Sequence, residues 1–411
     1  MKRLSTISSI LLIFLITIVL SIFLPRYYWI SFEQNVPIPR VFFSPITKQF
    51  LMHKLTDKNV IYYDETFKRI TKEVFERNTP YMNYRQLVFR QEMPDTILGK
   101  PVNFQEIKEN NIYFSISPED VYFYQINLFP LIEAKPNGPQ LISPQEFFRV
   151  TDKFEIFDAQ TNKINEKMSK LFDDELRKSG FNFPAKKYFG EPGTRKPYHE
   201  GYFLVDNSGD VFHINRIENK PFCKKIAVPN DYEIEHILVR EFPLQEFHGI
   251  IFTKNHKIAL ISYDNYKIIE LPVKDFDLTK SKFELKGDIF YRTISIYNDN
   301  SVVSYATDRN YKLISTYTEK WVNSRKSDIG KIAEYIFPFQ LSLENEKNLF
   351  IDFYFEFSGW NFIFLNSILA IAILIIRKSQ KQTSQKLFNA VYVFLTGIFG
   401  FIALLVIKDE F

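Results

Sequence analysis

The chain has a single cysteine, Cys223, in 411 residues. No intrachain disulfide can form, so the fold must be held by burial alone, and the lone thiol is expected to be a small core residue. Glycine is scarce, at 13 residues, against 43 phenylalanines and 23 tyrosines. That balance favours a β-rich core of aromatic and branched side chains. An excess of either charge is missing as well: 52 basic residues face 48 acidic ones. No overall field argues for nucleic acid as a partner.

Catalytic signatures are absent too. There is no Walker sequence, no dinucleotide fingerprint and no Gly-x-Ser-x-Gly elbow. Six histidines occur, His53, His199, His213, His236, His248 and His256. None pairs at the spacing that puts two imidazoles on one helix face, and none lies near Cys223 at a zinc-finger interval. Asp206-Asn-Ser-Gly-Asp210 is rich in oxygen ligands but too short for an EF-hand, and a tight hairpin turn accounts for it. The acidic run Phe172-Asp-Asp-Glu175 reads as the solvated face of a helix. No catalytic, cofactor-binding or metal-ligating residue is therefore assigned. A carboxylate pair gathered from distant strands, as in a glycosidase acting on carbohydrate or peptidoglycan, leaves no local motif and stays as an alternative.

What the sequence does have is apolar ends around a polar middle. Leu4 to Leu24 carries no charge and is long enough to cross about 30 Å of hydrocarbon at about 1.5 Å per residue. Lys2 and Arg3 precede it, and Tyr27, Tyr28 and Trp29 follow as an interfacial belt. A cleaved signal peptide competes with an anchor, but no small-x-small site follows the core. A second span is expected over Trp360–Ile376 and a third over Leu387–Ile407. Between them, Arg377 to Lys386 holds four positive residues and no acid. Short basic loops stay in the cytoplasm. Three crossings then leave the N-terminus inside a bacterial inner membrane and residues 30–355 in the periplasm, with the Lys408–Phe411 tail. Thr396, Gly397 and Gly400 form a small-residue face on the third span, where another helix is expected to pack. No charge lies inside a span, which argues against an ion path through these helices.

The middle splits by pattern. Residues 200–320 read as short strands broken by polar turns, and residues 72–199 as a mixed insert. Asn-Tyr-Lys-[Ile/Leu]-Ile stands at 265–269 and again at 310–314, with a fainter echo at Tyr63 to Ile70. A repeat of 45 residues built from short antiparallel strands points to propeller-like β architecture. A smaller open β assembly accounts for it too. In the insert, the apolar spacing of Ile164, Met168, Leu171, Phe172 and Leu176 predicts a helix over 162–179, with Asp158 or Thr161 as cap and Gly180 as stop. A second helix is expected over 81–91.

Several strings carry a resemblance across nearly the whole chain. They are Met1-Lys-Arg-Leu-Ser5, Met93-Pro-Asp-Thr96, Asp158-Ala-Gln-Thr-Asn-Lys-Ile164, Lys178-Ser-Gly-Phe-Asn-Phe-Pro-Ala-Lys186, Thr194-Arg-Lys196 and Thr396-Gly-Ile-Phe-Gly-Phe-Ile-Ala403. With this layout the chain resembles an uncharacterised family of bacterial membrane proteins typical of the Bacteroidota, classed as a domain of unknown function. The family looks similar to proteins encoded beside ABC-transporter components, which implies an accessory subunit with a permease as partner. The expected architecture is a membrane-anchored α+β chain, mainly β. It comprises an anchor (1–29), an extracytoplasmic β-rich domain (30–355) and a helical hairpin (356–411). Its expected role is a non-catalytic accessory or sensor subunit without a cofactor, and a structural envelope protein is a further alternative.

Overall fold

The computed structural model describes residues 2–32, 36–56, 59–121, 126–135, 141–196, 198–322, 327–344, 352–378 and 383–407. The middle of the basic loop, 379–382, and the 408–411 tail lie outside the described residues. Two compact units divide the chain: 1–37 with 321–411, and 38–320. The chain opens on α1 (Lys2–Phe32), which belongs to the first of these.

The 38–320 unit is a series of antiparallel meanders. The first sheet is β1 (Pro39–Phe43), β2 (Phe50–Leu55), β3 (Val60–Asp64) and β4 (Arg69–Ile70). A connecting stretch follows with α2 (Lys72–Asn78), α3 (Tyr84–Phe89), the ribbon β5 (Thr96–Ile97) and β6 (Lys100–Pro101), α4 (Phe104–Asn110), β7 (Ile112–Ile116) and α5 (Pro118–Val121). The second sheet is β8 (Phe129–Pro130), β9 (Glu146–Val150) and β10 (Phe154–Asp158), followed by α6 (Glu166–Lys178). The third is β11 (Lys187–Gly190), β12 (Tyr202–Val205), β13 (Val211–Ile217) and β14 (Lys220–Ile226). The fourth is β15 (Ile234–Leu238), β16 (Phe247–Thr253), β17 (Ile258–Ser262) and β18 (Ile268–Glu270). In the fifth, β19 (Lys282–Gly287), β20 (Tyr291–Asn298), β21 (Ser301–Asp308) and β22 (Leu313–Lys320) gain β7 on the β19 edge.

Neighbouring sheets share aromatic cores. Phe148, Phe154, Phe172, Tyr202 and Phe212 join the second sheet and α6 to the third. Phe203, Val205, Ile237, Ile251 and Ile261 join the third to the fourth. Phe252, Leu260, Phe114, Phe283 and Ile294 join the fourth to the fifth. The first sheet lies beside the fifth, with Phe43 against Tyr291 and Phe50 against Tyr317 at ring separations of 5.2 and 5.6 Å. The repetitive antiparallel β expected from the sequence is present. Closure into a propeller is not: the described residues form no closed ring.

Local chemistry sets the boundaries. The helix expected over 162–179 starts later, at Glu166, because Asn162 sits at φ 51° and the Asn165 side chain caps Met168 N at 3.2 Å. Asp158 instead folds an Asx turn onto Gln160 N and Thr161 N. Gly180, at φ 85°, ends the helix as expected. The second expected helix is trimmed to Tyr84–Phe89. Cys223 packs half-buried against the second core, and burial pushes its thiol up to about 11.

The other unit corrects the expectation of three spans. It holds α1, α7 (Asp328–Ile336), the hairpin β23 (Phe339–Glu344) and β24 (Asp352–Phe357), α8 (Phe362–Ile376), α9 (Thr383–Thr396) and α10 (Ile398–Val406). Only one helix, over Ile7–Phe32, is long and apolar enough to cross a membrane among the described residues. The second expected span, α8, has 15 residues, about 22 Å at helical rise and short of a full bilayer core. The third is two helices. Gly397, at φ 58°, breaks it, and α10 turns back on α9. Asn366 near the start of α8 meets Phe394 O at 2.8 Å, whereas Arg377 just beyond its end donates to Ile407 O at 2.9 Å and to Leu404 O. A continuous third helix would carry Leu404 away from Arg377 by several turns. The end of α10 therefore lies at the Arg377 end of α8. On α1, Ile13 packs with Ile373 and Leu404, and Leu20 and Leu24 pack with Phe399, so α1 runs antiparallel to both α8 and α10.

Candidate functional site

Where the third and fourth sheets meet, imidazoles, carboxylates and phenols are buried together. The segment before β12 brings His199 and Glu200, and Gly201 makes their position possible. At φ 92°, a Cβ on Gly201 would stand 2.3 Å from Ile214 O, so only glycine lets this segment press against β13. Asn215 then holds it, donating to His199 O at 3.2 Å and Glu200 O at 3.0 Å. His213 on β13 stacks on Phe203, with its Nε2 2.5 Å from Glu200 O and its Nδ1 2.7 Å from Tyr266 Oη.

His248 arrives through a bulge. The β16–β17 register shifts between Phe247 and Gly249, leaving His248 as the extra residue and re-aiming its side chain. Its Nδ1 bonds Glu200 Oε1, and Tyr263 donates to the other oxygen, Glu200 Oε2. Tyr263 and Tyr266 also stack on the His248 ring, at 3.8 and 4.4 Å. Glu200, His213 and His248 are all buried, each offering a ligand atom, and these atoms lie within 4.8 Å of one another. They form the one such group among the described residues.

A second layer adjoins them. His199, 2% exposed, stands 3.5 Å from Glu241 Oε1, and neither of its ring nitrogens has a hydrogen-bond partner among the described residues. Lys196 donates to Glu241 Oε1 at 2.5 Å. Burial lowers His199 and takes His213 down to about 4, so both rings are neutral at physiological pH. Burial pushes Glu241 up, but His199 and Lys196 outweigh it and hold the carboxyl below its ordinary value. Burial and the Glu200 carboxylate raise Tyr263 and Tyr266, and burial takes Tyr198 up to about 12. One carboxylate with two imidazoles, Glu200 with His213 and His248, suits a divalent metal or a proton-holding network.

The repeated Asn-Tyr-Lys string explains part of this. Tyr266 and Tyr311 both adopt positive φ, 60° and 62°, in their hairpin turns. Each points back at the preceding sheet: Tyr266 at His213, and Tyr311 at Glu246 with a 2.5 Å hydrogen bond. Glu246 is in turn clamped by the fully buried Arg292. The turns were legible and His213 and His248 were named among the histidines, but Glu200 was not, and no local spacing links the three.

Asp206-Asn-Ser-Gly-Asp210 is the expected turn, with Asp206 Oδ1 accepting from Ser208 N and Asp210 N. The run 172–175 sits on α6: Phe172 is buried, and Asp173 pairs with Arg177. The small residues assigned to helix packing lie at the α9–α10 reversal. A Cβ on Gly397 would meet Asn366 Oδ1 at 2.5 Å, and one on Gly400 would strike the Thr396 side chain and, at 2.9 Å, Tyr392. Away from the cluster, an open groove of about 690 Å³ on the second sheet is lined by Ile126, Leu128, Phe147, Arg149 and Phe157. A neighbouring groove holds Glu133 and Glu146. Of the four acids that line it, Glu133 accepts from Glu218 N and Asn219 N, Glu146 from Arg216 and Asn165, and Asp158 from Gln160 N and Thr161 N, while Glu218 is exposed.

Fold and site together define a serial antiparallel β protein with an apolar helical unit and a buried imidazole–carboxylate cluster. The chain belongs to the family described as a domain of unknown function, DUF4857, which matches residues 40–307. No curated protein matches the sequence. Among solved structures, the β-propeller domain of Cps50 (Swd1) from Myceliophteria thermophila is similar at 9% identity, covering 69% of this chain and 87% of that one at a TM-score of 0.22.

Proposed function

We propose that this protein is a membrane-tethered, non-catalytic accessory or sensor subunit of a bacterial inner-membrane assembly, with its β unit outside the cytoplasm. The observation that carries this is the surface of α1. Only 17% of its most apolar window is buried, and Leu11, Leu15, Ile18, Val19 and Phe23 all face outward. A core helix of a soluble protein would bury that face, whereas lipid solvates it at no cost. The lysines and arginines flanking the apolar stretches support the orientation. The non-catalytic reading is supported by the titratable groups: those gathered between the third and fourth sheets are interior, and three of the four groove acids are committed, Glu133 and Asp158 to loop backbone and Glu146 to Arg216 and Asn165. The β unit would bind a ligand or partner through the open groove on its second sheet, and the helices would dock a transporter permease of the ABC type.

Membranes washed with alkaline carbonate should retain the chain, and mild-detergent purification after crosslinking should recover a permease subunit with it. Release by carbonate overturns the tether. Retention with recovery of this chain alone overturns the accessory role.

A further inference from the structure

We propose that Glu200, His213 and His248 form a binding site for one divalent transition-metal ion of the zinc class, tying the third sheet of the β unit to the fourth. This goes beyond the membrane-tethered reading and stands independently of it.

The donor set is two imidazoles and one carboxylate, which suits zinc and its neighbours and not calcium or magnesium. The geometry is close to what an ion needs. His213 Nε2 lies 3.7 Å from Glu200 Oε1, and two ligands on a tetrahedral ion with bonds of about 2.0–2.1 Å are separated by about 3.3 Å. His248 Nδ1 now bonds the same Glu200 oxygen directly. An ion takes that place when the ring and the carboxylate part slightly, so that the His248 Nδ1–Glu200 Oε1 and His213 Nε2–Glu200 O hydrogen bonds are exchanged for three coordinate bonds. Both ring protons must move. That on His248 Nδ1 leaves for solvent or moves to Nε2. That on His213 Nε2, now donated to Glu200 O, leaves for solvent or moves to Nδ1, which can then donate a hydrogen bond to Tyr266 Oη at 2.7 Å.

The outer shell a metal site requires is already built. Tyr266 fixes the His213 ring, Tyr263 holds the free Glu200 oxygen, and the two phenol rings clamp His248 between them. A second observation comes from His199. It is next to Glu200 in the chain and almost wholly buried, its Nδ1 faces Glu241 Oε1 at 3.5 Å, and neither ring nitrogen has a hydrogen-bond partner among the described residues. Buried polar atoms are nearly always satisfied, so the His199 Nε2, left without a partner among the described residues, is a group that a bound ion or its water would complete.

The test uses the full chain in mild detergent, stripped with a chelator and then titrated with Zn²⁺ by calorimetry, with Co²⁺ as a spectroscopic probe. One ion per chain is expected, with the visible bands of tetrahedral nitrogen–oxygen Co²⁺ and a raised thermal midpoint. His248→Gln and His213→Gln should abolish binding, Tyr266→Phe should weaken it by about 10–100-fold, and His256→Asn, outside the cluster, should leave it unchanged. No stoichiometric ion in the wild type, or undiminished binding in the folded His248→Gln chain, overturns the proposal. Should the histidine variants fail to fold, the wild-type Co²⁺ spectrum decides: nitrogen–oxygen tetrahedral bands support the site, and their absence overturns it.

Discussion

Removing Lys286 alone should cost the β unit more than removing Lys286 and Glu284 together. Both side chains are buried on β19, and Lys286 Nζ reaches Glu284 Oε2 at 2.7 Å and Val41 O of the first sheet at 3.2 Å. Burial pushes the Glu284 carboxyl up, but the charge of Lys286 and the hydrogen bonds of Lys282 and Lys286 carry it down to about 2 from 4.5. At about 1.4 kcal/mol per unit, that depression is worth about 3.5 kcal/mol of stability. Because the folded value is the lower one, this stability is present above the unfolded value near 4.5 and is lost as pH falls through about 2. Lys286 offsets it, since burial lowers the ammonium and its desolvation weighs against folding. The pair as a whole therefore contributes little, while each half depends on the other. Lys286→Met removes the partner of Glu284 Oε2 and leaves the buried carboxylate only Lys282 and Tyr113 on Oε1, and should cost about 3 kcal/mol. Glu284→Leu leaves an amine that can shed its proton, so its cost should be smaller. The double variant should return to within about 1 kcal/mol of the wild type. Urea unfolding of the full chain in detergent, followed by far-UV circular dichroism, reads all four. A double variant as unstable as Lys286→Met would refute the reasoning, because the loss would then come from packing.

Asp288 should behave in the opposite sense. Burial raises its carboxyl to about 6 from 3.8, so the folded state holds the proton more tightly and stability declines as pH rises from 3.8 through about 6. Asp288→Asn keeps an oxygen for Phe290 N and Tyr291 N, and should flatten that decline and gain about 1–3 kcal/mol at pH 7 by denaturant titration; an unchanged slope counts against it. Gly201→Ala should lower the thermal midpoint by several degrees, because its Cβ meets a strand carbonyl at 2.3 Å; an unaltered midpoint would show that this segment is not held as described. A fluorescent reporter fused to the end of the chain should light up in the cytoplasm, because α10 returns to the Arg377 end of α8. A periplasmic phosphatase reporter active at that position would restore three crossings.

Antiparallel β character was legible because turn chemistry is local. Asp206, Asp64 and Asp308 each fold their hairpin by accepting backbone N–H groups two and four residues on, and such turns show in any reading of the chain. The cluster was not legible, because Glu200 and His248 are 48 residues apart and meet only when two sheets pack. One signal was available: the tyrosine of the repeated Asn-Tyr-Lys string, whose recurrence in a turn asked for a partner. The reversal at Gly397 was hidden for another reason. Hydropathy over 387–407 is unbroken, and this turn uses a glycine against Asn366 in place of the polar residues that mark turns in water.

The tyrosine hydroxyls suggest why an open series of sheets holds its order. In a closed ring each sheet is located by two neighbours and by closure itself; an open series must specify every junction separately. Apolar faces pack with little preference for register, whereas a buried hydroxyl tolerates only the arrangement that satisfies it. Each junction has one. Tyr188 reaches Val150 O between the second and third sheets, Tyr266 reaches His213 between the third and fourth, Tyr311 reaches Glu246 between the fourth and fifth, and Tyr63 reaches Glu319 between the first and fifth. The imidazole–carboxylate cluster is the most elaborate of these latches. Its position at a junction follows from the same need, since groups drawn from two sheets can be completed by a shared ion only where the sheets meet.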